Sequence, residues 1–450
     1  MTMAPDTNRA THWFGLALLL IATLLLSGRL IAGGPEIQHW TTDEGLNVYY
    51  VQTDTLPLVD MSLMFDAGSA RDGDRPGLSS LTSNLLSEGA DGLDAGEVAR
   101  LFEDRGARFS SSSGRDYASV ELRSLSDGDT LAASVEALVR VVSKPDFDAD
   151  VLDRQRRRML VSLENAERNP GAVANRAFWE AAYGDHPYAS EPAGTEDSLT
   201  AIERSHVADF HARYYVRENA TLALVGDLDR DKAEALAASI SASLPAGDKP
   251  EAIPEPSLPD EPKTVRIPFQ TSQTHIIIGQ PSYARGDEAH FPLYVGNHIL
   301  GGSGLVSRLA LEMREERGLS YGVSSRFLPM QTKGPFRMTT RVRTDRTDEA
   351  LEVLQDALTA MREDGPDDEE LDDALRNITG SFPLNLDSNA KIAGYVASIG
   401  FHGMPLDYLD TFNYQVKAVD RDSIVRHFRE RVDPDRLITV IVGPEADDED

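Results

Sequence analysis

Two stretches of the chain, "FHARYYVRENATLALVG" (Phe210 to Gly226) and "FRERVDPDRLITVIVG" (Phe428 to Gly443), can be laid over one another. No other feature constrains the fold as strongly. In each, a helical run that includes Phe passes through a polar turn into a short apolar strand that closes on Gly. Two copies of one structural unit, each roughly 200 residues long, are the economical explanation.

The patterning ahead of each closing strand agrees. In the first copy "LNVYYVQTD", "LVDMSLMFDAG" and "YASVELRSL" read as strands, and "AGEVARLFEDRGA", "DTLAASVEALVRVVSKP" and "DADVLDRQRRRMLVSLENAERNP" as helices, the last two stopped by Pro. The second copy follows with strands "KTVRIPF", "THIIIGQPS" and "GPFRMTTRVRT", and helices "FPLYVGNHIL", "LVSRLALEMREER", "DEALEVLQDALTAMRED" and "DDEELDDALRNITGSF". The predicted fold class is α+β: two duplicated domains, each an antiparallel-rich sheet covered by helices. The first domain is placed at 35–243 and the second at 263–445. Between them "LPAGDKPEAIPEPSLPDEP", 244–262, is dense in proline and charge and reads as a linker; an acidic tail, 446–450, follows.

The amino terminus is different in kind. "WFGLALLLIATLLLSG", Trp13 to Gly28, is an almost unbroken apolar run, so residues 1–34 read as a signal peptide or an N-terminal membrane anchor. The run falls short of the ~20 residues of a comfortable span, which favours a signal peptide. Cleavage after Gly34 would leave Pro35 directly behind the cut, which favours an uncleaved anchor. Either way the rest of the chain is expected in the periplasm.

With 74 acidic against 44 basic residues the formal net charge is −30, which argues against nucleic acid as a partner, because that requires a basic footprint. The acidity suits basic substrates or a saline habitat. The absence of cysteine excludes disulfides, thiolate metal sites and a Cys nucleophile. No two histidines stand four apart, the spacing that lets two imidazoles reach one zinc from a single helix face. His206 and His211, five apart, read as helix surface positions. "GGSGLVS", with Gly301, Gly302 and Gly304, lacks the Lys of a phosphate loop and reads as a tight connection between helices.

The stretch "LEMREERGLSYGVSS", Leu311 to Ser325, carries the sharpest signal for function. A helical run stops at Gly318 and a strand begins, so Arg314 and Tyr321 lie on either side of a reversal. Taken alone, this is a cation at a helix C-terminus and a tyrosine on a half-buried strand.

The duplicated plan, "GLSSLTSNLLSEG" in the first half, "GDHPYASEPAGTEDSLTAI" after the long helix and "LGGSGLVSRLALEMREERGLSYGVSS" in the second half resemble the pitrilysin/insulinase (insulysin-like) family of zinc peptidases, from Ile37 to Gly443. The resemblance implies a clamshell chamber of which this chain forms one half-shell. It also implies a zinc helix, His-x-x-Glu-His, between glycines that survive here as Gly77 and Gly89. The ligand positions hold Ser80 and Asn84, and the base position holds Ser83. The family's distal Glu-x6-Glu pair falls on Gln155 and Ser162, with Glu164 two residues away. Hydroxyl and amide side chains are poor zinc ligands, and Ser83 cannot take a proton from a zinc-bound water. No metal is therefore expected in this chain.

What the resemblance retains is the second-half pair. In active relatives an Arg and a Tyr seven apart reach the substrate at the zinc site, and Arg314 and Tyr321 match them in type and spacing. The family includes two-chain enzymes, such as mitochondrial processing peptidase and bacterial heterodimers, in which one chain carries zinc and the other does not. The resemblance thus implies a zinc-free subunit acting with a His-x-x-Glu-His partner on unfolded peptides. The alternatives are an inert structural pseudopeptidase, or a protein that captures peptides by adding them to a sheet edge.

Overall fold

The structure, a computed structural model, describes residues 34–445. The apolar run at 13–28 and the tail at 446–450 lie outside the described residues. Among the described residues no helix is long and apolar enough to cross a membrane.

The repeat seen in the two closing strands extends through both sheets. Sheet one contains β1 (Gln38–Thr41), β2 (Asn47–Gln52), β3 (Leu58–Phe65), β4 (Arg108–Ser113), β5 (Ala118–Leu125) and β6 (Ala220–Gly226), in the order β1-β2-β6-β3-β5-β4. Sheet two contains β7 (Lys263–Pro268), β8 (Gln273–Tyr283), β9 (Ser320–Phe327), β10 (Gly334–Arg343) and β11 (Ile438–Gly443), in the order β7-β11-β8-β10-β9. Apart from β1 the two orders are the same. In each sheet the closing strand runs parallel to the unit's first shared strand, β6 to β2 and β11 to β7. The other pairings are antiparallel.

Strand alternation decides what covers each face. Val48, Tyr50, Met61 and Leu63 of sheet one point into a core made with helices of their own half. Ile276, Ile278, Met338 and Val342 do the same in the second half. The opposite faces are covered by exchange. Helix α3 (Pro170–Tyr183), which follows α1 (Leu78–Leu85) and the long α2 (Ala149–Glu167), packs Phe178 and Trp179 against Ile277, Ile438, Val440 and Val442 of sheet two. Helix α4 (Asn389–Phe401) carries Ile392, Val396 and Ala397 onto Tyr49, Val51, Met64, Ala223 and Val225 of sheet one. The fit is close at Gly400, where an added Cβ would lie 2.5 Å from Tyr49 Cδ2 and 2.7 Å from Thr221 Cγ2.

Polar contacts reinforce the exchange. Asp116 is buried and accepts hydrogen bonds from the Tyr188 hydroxyl (2.5 Å) and the Gln331 backbone N–H (2.8 Å). Burial pushes its carboxyl up to about 6, against the pull of those two bonds. Residues 244–262 form neither helix nor strand, yet they are fastened down. The Gly247 N–H donates to Glu218 (2.8 Å), the Pro254 carbonyl accepts from His186 Nε2 (2.8 Å), and Ile253 is buried with Phe178. One histidine expectation is corrected. His206 stays at the surface, accepting at Nδ1 from the Glu203 N–H (3.1 Å), but His211 is buried and donates from Nε2 to the Val142 carbonyl (2.7 Å). Val207, Phe210 and His211 share one helical face, so the ring goes inward with them.

Candidate functional site

In the second half, the helical turn Arg308–Ala310 continues as a wider-wound segment, Leu311–Glu316, and the chain reverses at Gly318 with φ +59°. Gly takes that conformation without a Cβ penalty. The chain then enters β9, the edge strand of sheet two, whose register with β10 slips between Ser320 and Val323. The slip is a bulge, and bulges re-aim side chains. Ser320 holds it: its buried hydroxyl donates to the Arg341 carbonyl (2.9 Å) and accepts from the Gly322 N–H (3.1 Å) and the Thr340 hydroxyl (2.8 Å). Tyr321 is turned out to 78% exposure. The Arg314 guanidinium carbon lies 5.2 Å from the centre of the Tyr321 ring, within cation–π range, with Glu315 3.5 Å from Arg314 Nε. The reversal thus brings the two residues together at an open surface.

The glycines upstream serve this geometry. A Cβ on Gly301 would lie 2.4 Å from the Ser325 backbone nitrogen, so only Gly lets the helix end approach β9. The Ser325 hydroxyl donates to Asn297 across the same contact (2.8 Å). Gly304, at φ +68°, makes the turn.

In the first half, Asp72 caps α1, accepting from the Gly77 and Ser79 N–H groups (both 2.8 Å). Burial pushes its carboxyl up to about 7, with those bonds opposing the shift. The Ser80 hydroxyl donates to the Pro192 carbonyl (2.6 Å). Ser83 is buried facing the Tyr215 hydroxyl, and neither oxygen has a well-placed hydrogen-bond partner among the described residues. Asn84 is exposed. On α2, Gln155 is buried and donates to Glu88, just past α1, where Arg154 (2.9 Å) and Arg158 (3.3 Å) also converge. Ser162 is exposed and donates back to the Arg158 carbonyl (3.1 Å); Glu164 is exposed and paired with Arg168 (2.5 Å). The two helices are therefore joined by an ion cluster on Glu88. Neither Glu88 nor Ser320 stood out in the sequence, because each acts through neighbours distant along the chain.

Residues 47–196 match the family model described as Insulinase (Peptidase family M16), and residues 201–378 match the one described as Peptidase M16 inactive domain. A crystal structure of a peptidase M16 inactive domain from Pseudomonas fluorescens has the same fold with a TM-score of 0.88 at 38% sequence identity, over 91% of this chain and 98% of that one. The chain belongs to peptidase family M16. Among M16 relatives, a non-peptidase homolog YmxG from Helicobacter pylori is 23% identical over 434 residues, covering 95% of this chain and 99% of its own. An uncharacterized zinc protease from Streptomyces coelicolor is 26% identical over 374 residues, 79% of this chain and 78% of its own.

The zinc that the M16 fold implies does not fit the residues present. Ser80 is turned to a carbonyl, Ser83 is enclosed, Asn84 and Ser162 are neutral, and Glu164 is engaged by Arg168. Among the described residues no group of three or more His, Asp or Glu side chains is placed to hold a metal.

Proposed function

We propose that this chain is the zinc-free subunit of a two-chain M16 metallopeptidase, and that Arg314 and Tyr321 contact the substrate held by a His-x-x-Glu-His partner. The observation that carries the reading is the pair itself: an exposed tyrosine and a guanidinium 5.2 Å apart, in a chain whose zinc positions hold no ligand. Zinc on the partner would supply the activated water. In this chain, the exposed Tyr321 hydroxyl and the half-buried Arg314 guanidinium are donors at the surface, suited to holding a peptide carbonyl and the negative charge that develops on it. The names of the Pseudomonas fluorescens inactive domain and the Helicobacter pylori non-peptidase homolog support a chain that is inert alone. Export to the periplasm, by signal peptide or anchor, rests on the sequence of residues 13–28.

The test is peptidase activity on unfolded peptides for this chain alone, a His-x-x-Glu-His relative from the same genome alone, and both together. Activity is expected in the mixture only, falling about 10²–10³-fold with Arg314→Ala and strongly with Tyr321→Phe. Full activity of the relative alone, or indifference to both substitutions, would instead favour an inert peptide-binding chain. For that reading β4, with one side unpaired at the edge of sheet one, offers the docking strand.

A further inference from the structure

The turns that leave β3 and β8 carry matching Ala-Arg pairs, Ala70-Arg71 and Ala284-Arg285. Both are tied to a hairpin loop of their own sheet, by the Ala70 N–H to the Arg115 carbonyl (3.0 Å) and the Arg285 N–H to the Met330 carbonyl (2.8 Å). The arginines differ in what they meet. Arg71 grips Asp66 through Nε (2.8 Å) and Nη2 (2.5 Å). Five residues before Arg285 stands Gln280 instead, whose side-chain oxygen accepts from the Asp433 N–H (3.2 Å). The nearby Asp287 faces Arg431 (3.1 Å). Arg285 Nε is buried without an acceptor among the described residues.

Beside Arg285 lies a cavity of about 400 Å³, lined also by Asn385, Lys391, Tyr395, Ser398 and Tyr408 and by no carboxylate. Lys391 is already engaged by Asp387 (2.9 Å) and the Leu384 carbonyl (2.8 Å). His290 and His402, near Arg285, are pushed down to about 4 by burial, so both are neutral at neutral pH. Within this lining, and among the described residues, Arg285 is therefore the one cation without a paired carboxylate, while Asp287, Glu288 and Asp407 line an adjoining cavity that Arg285 also borders. A partly buried cation is unfavourable until an anion meets it, and the flat fork of Arg matches a carboxylate with two parallel bonds. A single cation balances a monoanion and leaves a phosphate dianion under-compensated. Ile399 and Met404 add apolar wall beside the two tyrosine rings.

We infer that the cavity beside Arg285 binds a carboxylate carried on an apolar or aromatic group, the chemistry shared by a peptide C-terminus and a free aromatic acid. The inference does not depend on a zinc-bearing partner. Its test is calorimetric titration of the full chain alone with acetyl-Leu-Phe as the free acid, the same peptide as its C-terminal amide, and phenylacetate. The free acid is expected to bind one to one and the amide to bind about tenfold or more weakly; Arg285→Met lowers the acid's affinity by a similar factor and Arg285→Lys restores part of it. Phenylacetate binding as tightly as the peptide acid would identify a free acid as the ligand, and binding of the peptide acid alone would identify a peptide end. Equal affinity for acid and amide, undiminished binding by the Met variant, or no binding of either acid at millimolar concentration would overturn the inference. If circular dichroism finds the Met variant unfolded, the acid and amide comparison on the unaltered chain decides alone.

Discussion

Helix α1 in the first half and the helix, turn and strand at 308–327 in the second are both frames built to present side chains, and they present opposite things. In α1 the frame is complete: the Asp72 cap, buried Leu78, Leu81 and Leu85, and a hydrogen bond from the Ser111 hydroxyl to the Ser83 carbonyl (2.9 Å) that ties it to β4. What it offers outward is Asn84 and a Ser80 hydroxyl already turned to Pro192. In the second half, Gly301, Gly318 and Ser320 are arranged so that Arg314 and Tyr321 meet at the surface. Exposed Asn84 and Ser162 cost the packing little, and the buried Ser83 and Gln155 are enclosed without disturbing it, so a fold can be intact while its reactive groups are absent.

The largest effect is expected from the exchanged helix: Gly400→Leu forces α4 off Tyr49 and Thr221 and should destabilise the chain by about 3 kcal/mol, read from urea unfolding. Because α4 closes a core shared by both sheets, a single transition should move as a whole. Two transitions, with only the second-half one displaced, would mean that the halves are independent.

Next comes Asp116, held at about 6 by burial, above its ordinary 3.8. The folded chain then binds this proton more tightly than the unfolded chain, so the stability it contributes is full below about pH 4 and is lost as pH rises through about 6. Asp72, raised to about 7 by the same cause, acts in the same direction. Between about pH 4 and pH 7, Asp116→Asn should therefore gain on the unaltered chain by roughly 2 kcal/mol, whatever constant cost the lost acceptor brings. A difference that stays flat with pH would remove Asp116 as a titrating tie between the halves.

Ser320→Ala should be smaller, about 1–2 kcal/mol, since it leaves the Gly322 N–H without its acceptor and the Thr340 hydroxyl with only the longer bond to the Gly322 carbonyl (3.2 Å). It should also lower activity in the two-chain assay by loosening Tyr321. The smallest effect belongs to the pair itself: Arg314→Ala and Tyr321→Phe should each shift thermal stability by less than about 0.5 kcal/mol. A loss well above that would make them structural groups and weaken the functional reading.

These effects also mark what could be read from the sequence. The strands with apolar runs and the helices with a clean apolar stripe were legible, as was the Arg-to-Tyr spacing around Gly318. Strand β4, "RFSSSS", was not, because an edge strand with serines on both faces has no hydrophobic alternation to detect. Helix α4, "NAKIAGYVASIGF", is apolar on several sides since it lies between its own half's helices and the other half's sheet, so it shows no one-sided pattern. The burial of His211 follows from its neighbours on the helix face, Val207 and Phe210, and not from its spacing to another histidine. The sequence alone does not tell Arg285 from Arg71 as a paired cation, because which side chains fold against each turn decides the pairing.

The exchange of α3 and α4 has a consequence for synthesis. A ribosome makes β6, the last strand of sheet one, long before it makes α4, so Tyr49, Val51 and Ala223 have no cover until Phe401 has emerged. At ~5–20 residues per second the wait is on the order of ten seconds. For at least that interval the first half carries one bare greasy face, a natural client for chaperones that hold a chain for export and a surface on which two incomplete chains can stick.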